Sequence, residues 1–247
     1  MEFAKVGKIV PQATISSNSP PCLTNKSDLV YINGIISLSK TLQKCVENIA
    51  DPLTIPTFYK GKYNGVLLVN TSIQVNNLHS IDAVAGETTL DFYLRLYWYD
   101  NRLAMPIFWN QTSPQVQKDG IDITSMLDSN PGINIWKPDV RFHDASEVEY
   151  IVQTIRINAS NVLFWSRHTK ITLIQPKLDF SAFPGDSQSI DIRFGSYAFN
   201  QKYLKMNYYG NELSMNTNYD GTYTFLSNPV WQFNSQSTSF GKFIYLF

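Results

Sequence analysis

Reaction chemistry in this 247-residue sequence would have to be built from three histidines, two cysteines and a scatter of carboxylates. His79, His143 and His168 are far apart along the chain, and none belongs to a pair with metal-ligand spacing. Neither Cys22 nor Cys45 has the surroundings of a Cys-His nucleophile site, and there is no glycine-rich phosphate loop. Asp119, Asp122 and Asp128 carry calcium-type oxygens, yet their spacing does not reproduce a calcium loop and a solvated turn accounts for them. With no nucleophile, base or metal set, the expectation is a protein that is not an enzyme and needs no cofactor or metal.

The elements around these residues point to an all-β protein. Hydrophobic residues make up 43% and aromatic residues 14% of the chain, enough for a full core, and β-sandwiches of this length are commonly one domain. Twenty basic and twenty acidic side chains cancel, so the footprint that nucleic acid requires is missing. Cys22 and Cys45 could close a disulfide in an oxidising compartment, or stand as two separate buried thiols. Sequons occur at Asn25, Asn70, Asn110 and Asn158, a number that a chain rich in Asn, Ser and Thr produces by chance. No apolar run reaches the 18 to 20 or so residues of a spanning helix. The start, Met1 to Lys5, has no apolar signal region and reads as a vector-derived leader. The apolar end, Phe243 to Phe247, fits a chain cut from a longer protein or a last strand ending inside the fold.

Three zones follow. Residues 1–27, with Pro11, Pro20 and Pro21, read as an extended arm. Residues 28–50 show a mostly helical period at Leu29, Ile32, Ile35, Ile36, Leu42, Val46 and Ile49, which predicts an N-terminal α-helix ended by Asp51-Pro52. Residues 63–247 change to period two, broken by turn residues at intervals that suit an immunoglobulin-like β-sandwich of about ten strands. Val69, Thr71, Ile73 and Val75 alternate with polar residues, and Asn77 to Gly86 reads as a loop. Between Glu87 and Trp98, Leu90, Phe92, Leu94, Leu96 and Trp98 face a core while Asp91, Tyr93, Arg95 and Tyr97 face outward. A later strand places Ile190, Ile192 and Phe194 inward, with Asp191, Arg193 and Tyr197 on the opposite face if no bulge intervenes.

A set of motifs stands in fixed order on this pattern. Trp98-Tyr99-Asp100-Asn101-Arg102-Leu103 resembles the Trp-x-Asp-x-Arg-Leu signature of pentameric ligand-gated ion channels, the Cys-loop receptors. Trp136-Lys137-Pro138-Asp139 resembles the Trp-x-Pro-Asp that opens the family's binding loop A. Phe183-Pro184-Gly185-Asp186-Ser187-Gln188 is similar to the Phe-Pro-x-Asp-x-Gln centre of the signature loop. Phe194 to Tyr197 follows at the family's spacing, and Trp231 is similar to the Trp of the ninth strand. Together they span roughly residues 66–235. Where the family closes its loop with a disulfide, this sequence has Pro176 and Ile190, as in cysteine-free bacterial members. The chain ends sixteen residues after Trp231, without a vicinal cysteine pair.

The resemblance implies the extracellular ligand-binding domain of a channel. Such a domain binds a small amine or amino-acid-like ligand between neighbouring subunits of a homopentamer, and a transmembrane part absent from this chain lies beyond it. It implies the extracellular or periplasmic face of a membrane. The alternatives are a secreted pentameric relative of acetylcholine-binding proteins and an unrelated secreted adhesion or lectin module.

Carried across, loop D gives Tyr93 and Arg95, loop A gives His143, loop B gives Tyr197, and loops E and C give Phe164 and Phe240. Arg95 would repel a purely cationic ligand and pair bidentately with a carboxylate. Each residue also has a plainer reading: Tyr93 and Tyr97 as cross-strand surface residues, and His143 as a satisfied loop histidine. Trp98, Trp136, Asp100 and Asp139 read as core and turn residues. The loops 77–86 and 183–186 would face the membrane end.

Overall fold

The computed structural model describes residues 29–32, 35–38, 52–56, 58–59, 62–63, 65–103, 109–110, 112–123, 135–175, 178–183, 185–186, 188–208, 214–215, 233–237 and 242–246. The arm over 1–27 lies outside them, as do Cys22, Cys45, Asp128, Pro176, Pro184, Trp231 and Phe240.

Among the described residues the protein is all-β, apart from a 3-10 turn at Asn101–Leu103, helical residues 109–110 and a short helix at Pro114–Asp119. In chain order the strands are β1 (Leu29–Ile32), β2 (Ile35–Leu38), β3 (Phe58–Tyr59), β4 (Lys62–Tyr63), β5 (Leu67–Asp82), β6 (Glu87–Tyr99), β7 (Ile121–Asp122) and β8 (Val140–Phe142). They continue as β9 (Ala145–Ile157), β10 (Val162–Ile174), β11 (Gln188–Asp191), β12 (Phe194–Ser196), β13 (Leu204–Tyr208), β14 (Ser214–Met215), β15 (Phe233–Ser237) and β16 (Lys242–Leu246). The main sheet has the order β1-β2-β7-β9-β10-β6-β5-β13, with β14 also paired to β5; β11-β16-β15, β12-β8 and β3-β4 form smaller sheets.

Two compact units divide the chain. The first draws on Met1–Val69, Tyr97–Lys137 and Thr154–Trp165, the second on Asn70–Leu96, Pro138–Gln153 and Ser166–Phe247. The long strands β5, β6, β9 and β10 each contribute one stretch to each unit.

In the first unit, Trp98 is buried with its ring edge-on to Trp136 (6.1 Å, 80°) and to Trp165 (6.5 Å, 77°). Ring pairs of this geometry add to the burial energy of each indole. Directly after Trp98, the buried Arg102 turns back on the buried Asp100, donating from Nε (2.9 Å) and Nη2 (2.7 Å) to its carboxylate. Arg102 Nη1 also donates to the Thr54 carbonyl at 2.7 Å. A charge pair taken out of water survives only when its donors and acceptors are matched in this way. The Trp-x-Asp-x-Arg-Leu signature is therefore a strand end tied off by its own ion pair.

In the second unit, the inward row of β6 is as the alternation predicts, with Leu90, Phe92, Leu94 and Leu96 buried. The inward row of β5 in this unit, Thr71, Ile73 and Val75, is buried as well.

Four expectations change. The helix predicted over 28–50 is replaced, where residues are described, by strands β1 and β2 in antiparallel register from Leu29↔Leu38 to Ile32↔Ile35. Five of the eight strand residues, Val30, Tyr31, Ile32, Ile35 and Ile36, are β-branched or aromatic, and the intervening sequence Asn33-Gly34 is the pair two-residue hairpin loops favour. Residues 39–50 lie outside the described set.

The loop predicted over 77–86 is mostly strand, because β5 continues to Asp82 with Leu78 buried. The turn itself is only four residues, capped where Asp82 Oδ1 accepts from the amides of Val84 (2.8 Å) and Ala85 (2.9 Å), with Gly86 at φ 66°.

The single strand predicted from Ile190 to Phe194 is interrupted between β11 and β12, so Tyr197 lies beyond a strand end. Finally, the outer row of β6 is covered rather than open: Asp91 is buried and Tyr93, Arg95 and Tyr97 are half-buried.

Candidate functional site

Tyr93 and Arg95 share one face of β6, because side chains two apart on a strand point the same way. The Tyr93 ring lies against the His168 ring from β10, centroids 4.8 Å apart and tilted 34°. The Arg95 guanidinium carbon sits 5.8 Å from the Tyr93 ring centre, within cation-π range. Arg95 Nη2 donates to Gln74 Oε1 on β5. Among the described residues no carboxylate lies within ion-pair distance of Arg95, whereas Arg102 is closed by Asp100 and Arg193 by Asp144. Arg95 is thus positioned by an amide and an aromatic ring.

Beside this pair, His168 Nε2 is 2.9 Å from Asp91 Oδ2, and His79 Nε2 from β5 is 4.0 Å from the same oxygen. Asp91 Oδ1 is buried with no hydrogen-bond partner. The carboxylate fixes the Nε2 edge of the imidazole against which the Tyr93 ring lies. The sequence reading missed Gln74, His79, Asp91 and His168 as partners, although all four stand on the outer rows of adjacent strands. Only the register between strands brings them together.

A second group forms where β8 pairs with β12, in the register Val140↔Ser196, Arg141↔Gly195 and Phe142↔Phe194. Asp139 organises it: Oδ1 accepts from Ser196 Oγ at 2.6 Å, and Oδ2 accepts from the backbone amides of Tyr197 (2.8 Å) and Ala198 (2.5 Å). Ser196 Oγ in turn accepts from the Phe199 amide at 2.9 Å. This single carboxylate bends the chain after β12 and holds Tyr197 with its side chain 77% exposed. On that ring rests the Arg141 guanidinium, its carbon 5.0 Å from the centroid.

His143 is exposed in the turn after β8. Its amide donates to the Arg193 carbonyl at 2.8 Å. Arg141 and His143 have the same strand parity, so alternation alone does not separate them, and the residue that touches Tyr197 is Arg141. Phe164 is buried on β10 in the first unit, its ring 5.1 Å from that of Tyr97.

The cysteine-free loop is held by amides. Buried Gln188 donates from Nε2 to the Asp179 carbonyl and to Asp186 Oδ2, and its Oε1 accepts from the Asp179 amide at 3.1 Å. Across the loop base, Gln175 Nε2 donates to the Asp191 carbonyl and Oε1 accepts from the Asp191 amide, both at 3.2 Å. Phe183 at the tip is 55% exposed. Hydrogen bonds from Ser181 hold the exposed Asp179 carboxyl below its usual range. On β10, burial lowers Arg167 from its usual value, opposed by Tyr150, over whose ring the guanidinium carbon sits at 3.7 Å.

Set beside known proteins, residues 40–245 match the family model described as the neurotransmitter-gated ion-channel ligand binding domain. The chain is 32% identical over 157 residues to the gamma-aminobutyric acid receptor subunit rho-3 of Rattus norvegicus, covering 60% of this chain and 30% of that one. It is 30% identical over 155 residues to the rho-2 subunit of Bos taurus, with coverage of 60% and 30%. To the neuronal acetylcholine receptor subunit alpha-6 of Rattus norvegicus it is 24% identical over 190 residues, with coverage of 76% and 32%. The chain thus spans about a third of the length of the curated relatives it matches.

Proposed function

Since the chain belongs to the neurotransmitter-gated ion-channel ligand binding domain family, we propose that residues 63–247 form one immunoglobulin-like sandwich. It binds a small, carboxylate-bearing amine at the boundary between neighbouring copies in a ring of five. The ring stands at the extracellular face of a membrane, and occupancy of its sites biases a channel between conformations. The gamma-aminobutyric acid receptor subunits among the relatives carry a zwitterionic ligand in their name.

The observation that carries this reading is Arg95, oriented by Gln74 and Tyr93 on β6 and left without a carboxylate partner among the described residues. A guanidinium held in this way offers its fork to a ligand carboxylate, while tyrosine faces attract the ammonium.

Calorimetric titration of γ-aminobutyrate into the native chain and into Arg95→Ala tests the reading. The expected result is a loss of about tenfold or more in affinity, in line with a charged hydrogen-bonded pair. Equal affinity in the two proteins removes the argument.

A further inference from the structure

We propose that Asn158, at the tip of the β9-β10 hairpin, is an acceptor for an N-linked oligosaccharide. The inference rests on the extracellular placement in the reading above, because such glycans are added to chains on their way to the cell surface. Four sequons stand in the sequence, and the structure treats them differently. Asn25 lies outside the described residues, as does Gln111 within the sequon of Asn110. Asn70 is set inside β5 between the buried Val69 and Thr71, on a strand with β6 on one side and β13 on the other. Only Asn158-Ala159-Ser160 is a described sequon that stands where the chain turns between two strands.

The turn has a fixed backbone. The Asn158 amide donates to the Val162 carbonyl at 3.2 Å and the Asn161 amide to the Asn158 carbonyl at 3.0 Å, with Asn161 at φ 57°. The Ala159 amide donates to the Gln117 carbonyl at 3.0 Å, which anchors the tip to the helix Pro114–Asp119. Ser160 is exposed and Asn158 is half-buried. The Asn158 side chain closes the turn from one end only: Oδ1 accepts from the amides of Ser160 (3.0 Å) and Val162 (3.1 Å). Two N–H donors on that atom fix it as the oxygen, so the other end of the side-chain amide is the nitrogen. Nδ2 has no hydrogen-bond partner among the described residues, and it is not buried.

An N-linked glycan uses that nitrogen and leaves the oxygen alone. In the transfer, Nδ2 attacks C1 of an oligosaccharide carried on a lipid pyrophosphate, the co-substrate of the host's transferase. The Nδ2–C1 bond forms as the C1–O bond breaks, the pyrophosphate leaves as an anion, and one Nδ2 proton passes to a base of that transferase. Ser160 supplies the hydroxyl that the sequon requires two residues after the asparagine. In the product, Oδ1 keeps its lone pairs and both of its backbone donors, so the Asx turn and the modification coexist on one side chain. A bulky polar group belongs at such a tip, where no strand has to pass.

The test is to route the full chain through the secretory pathway of insect or mammalian cells, as the native sequence, Asn158→Asp and Ser160→Ala, and to analyse tryptic peptides by mass spectrometry. Residues 157–167, released by cleavage after Arg156 and Arg167, contain a single sequon. Asn158→Asp keeps an oxygen for the amides of Ser160 and Val162 but has no nitrogen to modify, whereas Ser160→Ala keeps the nitrogen and removes the hydroxyl. The expected result is that most copies of the native peptide carry a hexose and N-acetylhexosamine adduct that a glycan-releasing amidase removes. Both variants should lose the adduct and keep the native circular dichroism spectrum. A native peptide without the adduct overturns the proposal, and so does an adduct that persists in either variant. Calorimetry with γ-aminobutyrate on the same samples separates this inference from the reading it rests on. An unmodified native chain that binds with Arg95 dependence loses the glycan alone, and a modified chain that binds nothing keeps the glycan and loses the ligand site.

Discussion

At the scale of single residues, the same side-chain type does opposite work according to what faces it. Arg102 is buried and neutralised by Asp100, and it ties the end of β6 to Thr54. Arg95 is half-buried, held by an amide and an aromatic ring, and keeps its charge. The first arrangement is a stability device. Asp100→Ala leaves Arg102 buried without its counter-charge, so the expected cost is about 3–5 kcal/mol in chemical denaturation. A cost below about 1 kcal/mol would show that water or another group replaces the carboxylate. In the proposed function the second arrangement binds ligand, so Arg95→Ala is expected to lower ligand affinity while moving the melting temperature little. Both arginines are conspicuous in the sequence, but only the identity of the facing group separates their roles. His143 and Arg141 illustrate the same limit: they share parity, and the pairing of Arg141 with Gly195 in the β8-β12 register decides which one reaches Tyr197.

At the scale of elements, two polar side chains set the shape of loops that strands alone leave undefined. Asp139 gathers a hydroxyl and two amides from the segment after β12. Asp139→Ala would strand these donors, with an expected destabilisation of about 1–3 kcal/mol and a parallel loss of ligand affinity as Tyr197 loses its fixed position. An intact affinity in that variant would separate Tyr197 from binding.

The loop between β10 and β11 uses Gln175 and Gln188 as backbone clamps at its base and centre. Within it, Asp179 is held below the usual carboxylate range by the Ser181 amide and hydroxyl. A folded-state value below the unfolded one means a contribution that is present above the unfolded value, about 3.9, and is lost as pH falls through the folded value. Asp179→Asn should therefore flatten the acid limb of a melting-temperature profile between about pH 5 and pH 2 and leave the neutral plateau in place. An acid limb of unchanged steepness would assign that dependence to other carboxylates.

At the scale of the whole molecule, the central quantity is the number of chains in the particle. Light scattering on the purified chain, 28.2 kDa as a monomer, is expected to return about five times that mass if the ring forms without further segments. A stable monomer that still binds ligand with Arg95 dependence would move the site from a boundary onto one chain.

What the sequence determined by itself is the β pattern and the identity of the family. Period-two alternation over Val69 to Val75 and Leu90 to Trp98 marks the buried rows directly, because strand geometry sends alternate residues to opposite faces whatever lies beyond. Two of the ordered motifs were equally legible, since they are local devices: an ion pair two residues apart at Asp100 and Arg102, and amide clamps within the span from Asp179 to Gln188. Local period misled the reading at residues 29–38, where apolar spacing fits a helix but the described strands pair across Asn33-Gly34. It also placed Tyr197 by strand alternation, although the strand is interrupted and a carboxylate 58 residues earlier in the chain sets its position. Tertiary structure alone decided the meeting of Gln74, Tyr93, Arg95, Asp91 and His168, and of Arg141 with Tyr197. These contacts join residues far apart in sequence, and inter-strand register, which no single segment encodes, brings them within reach.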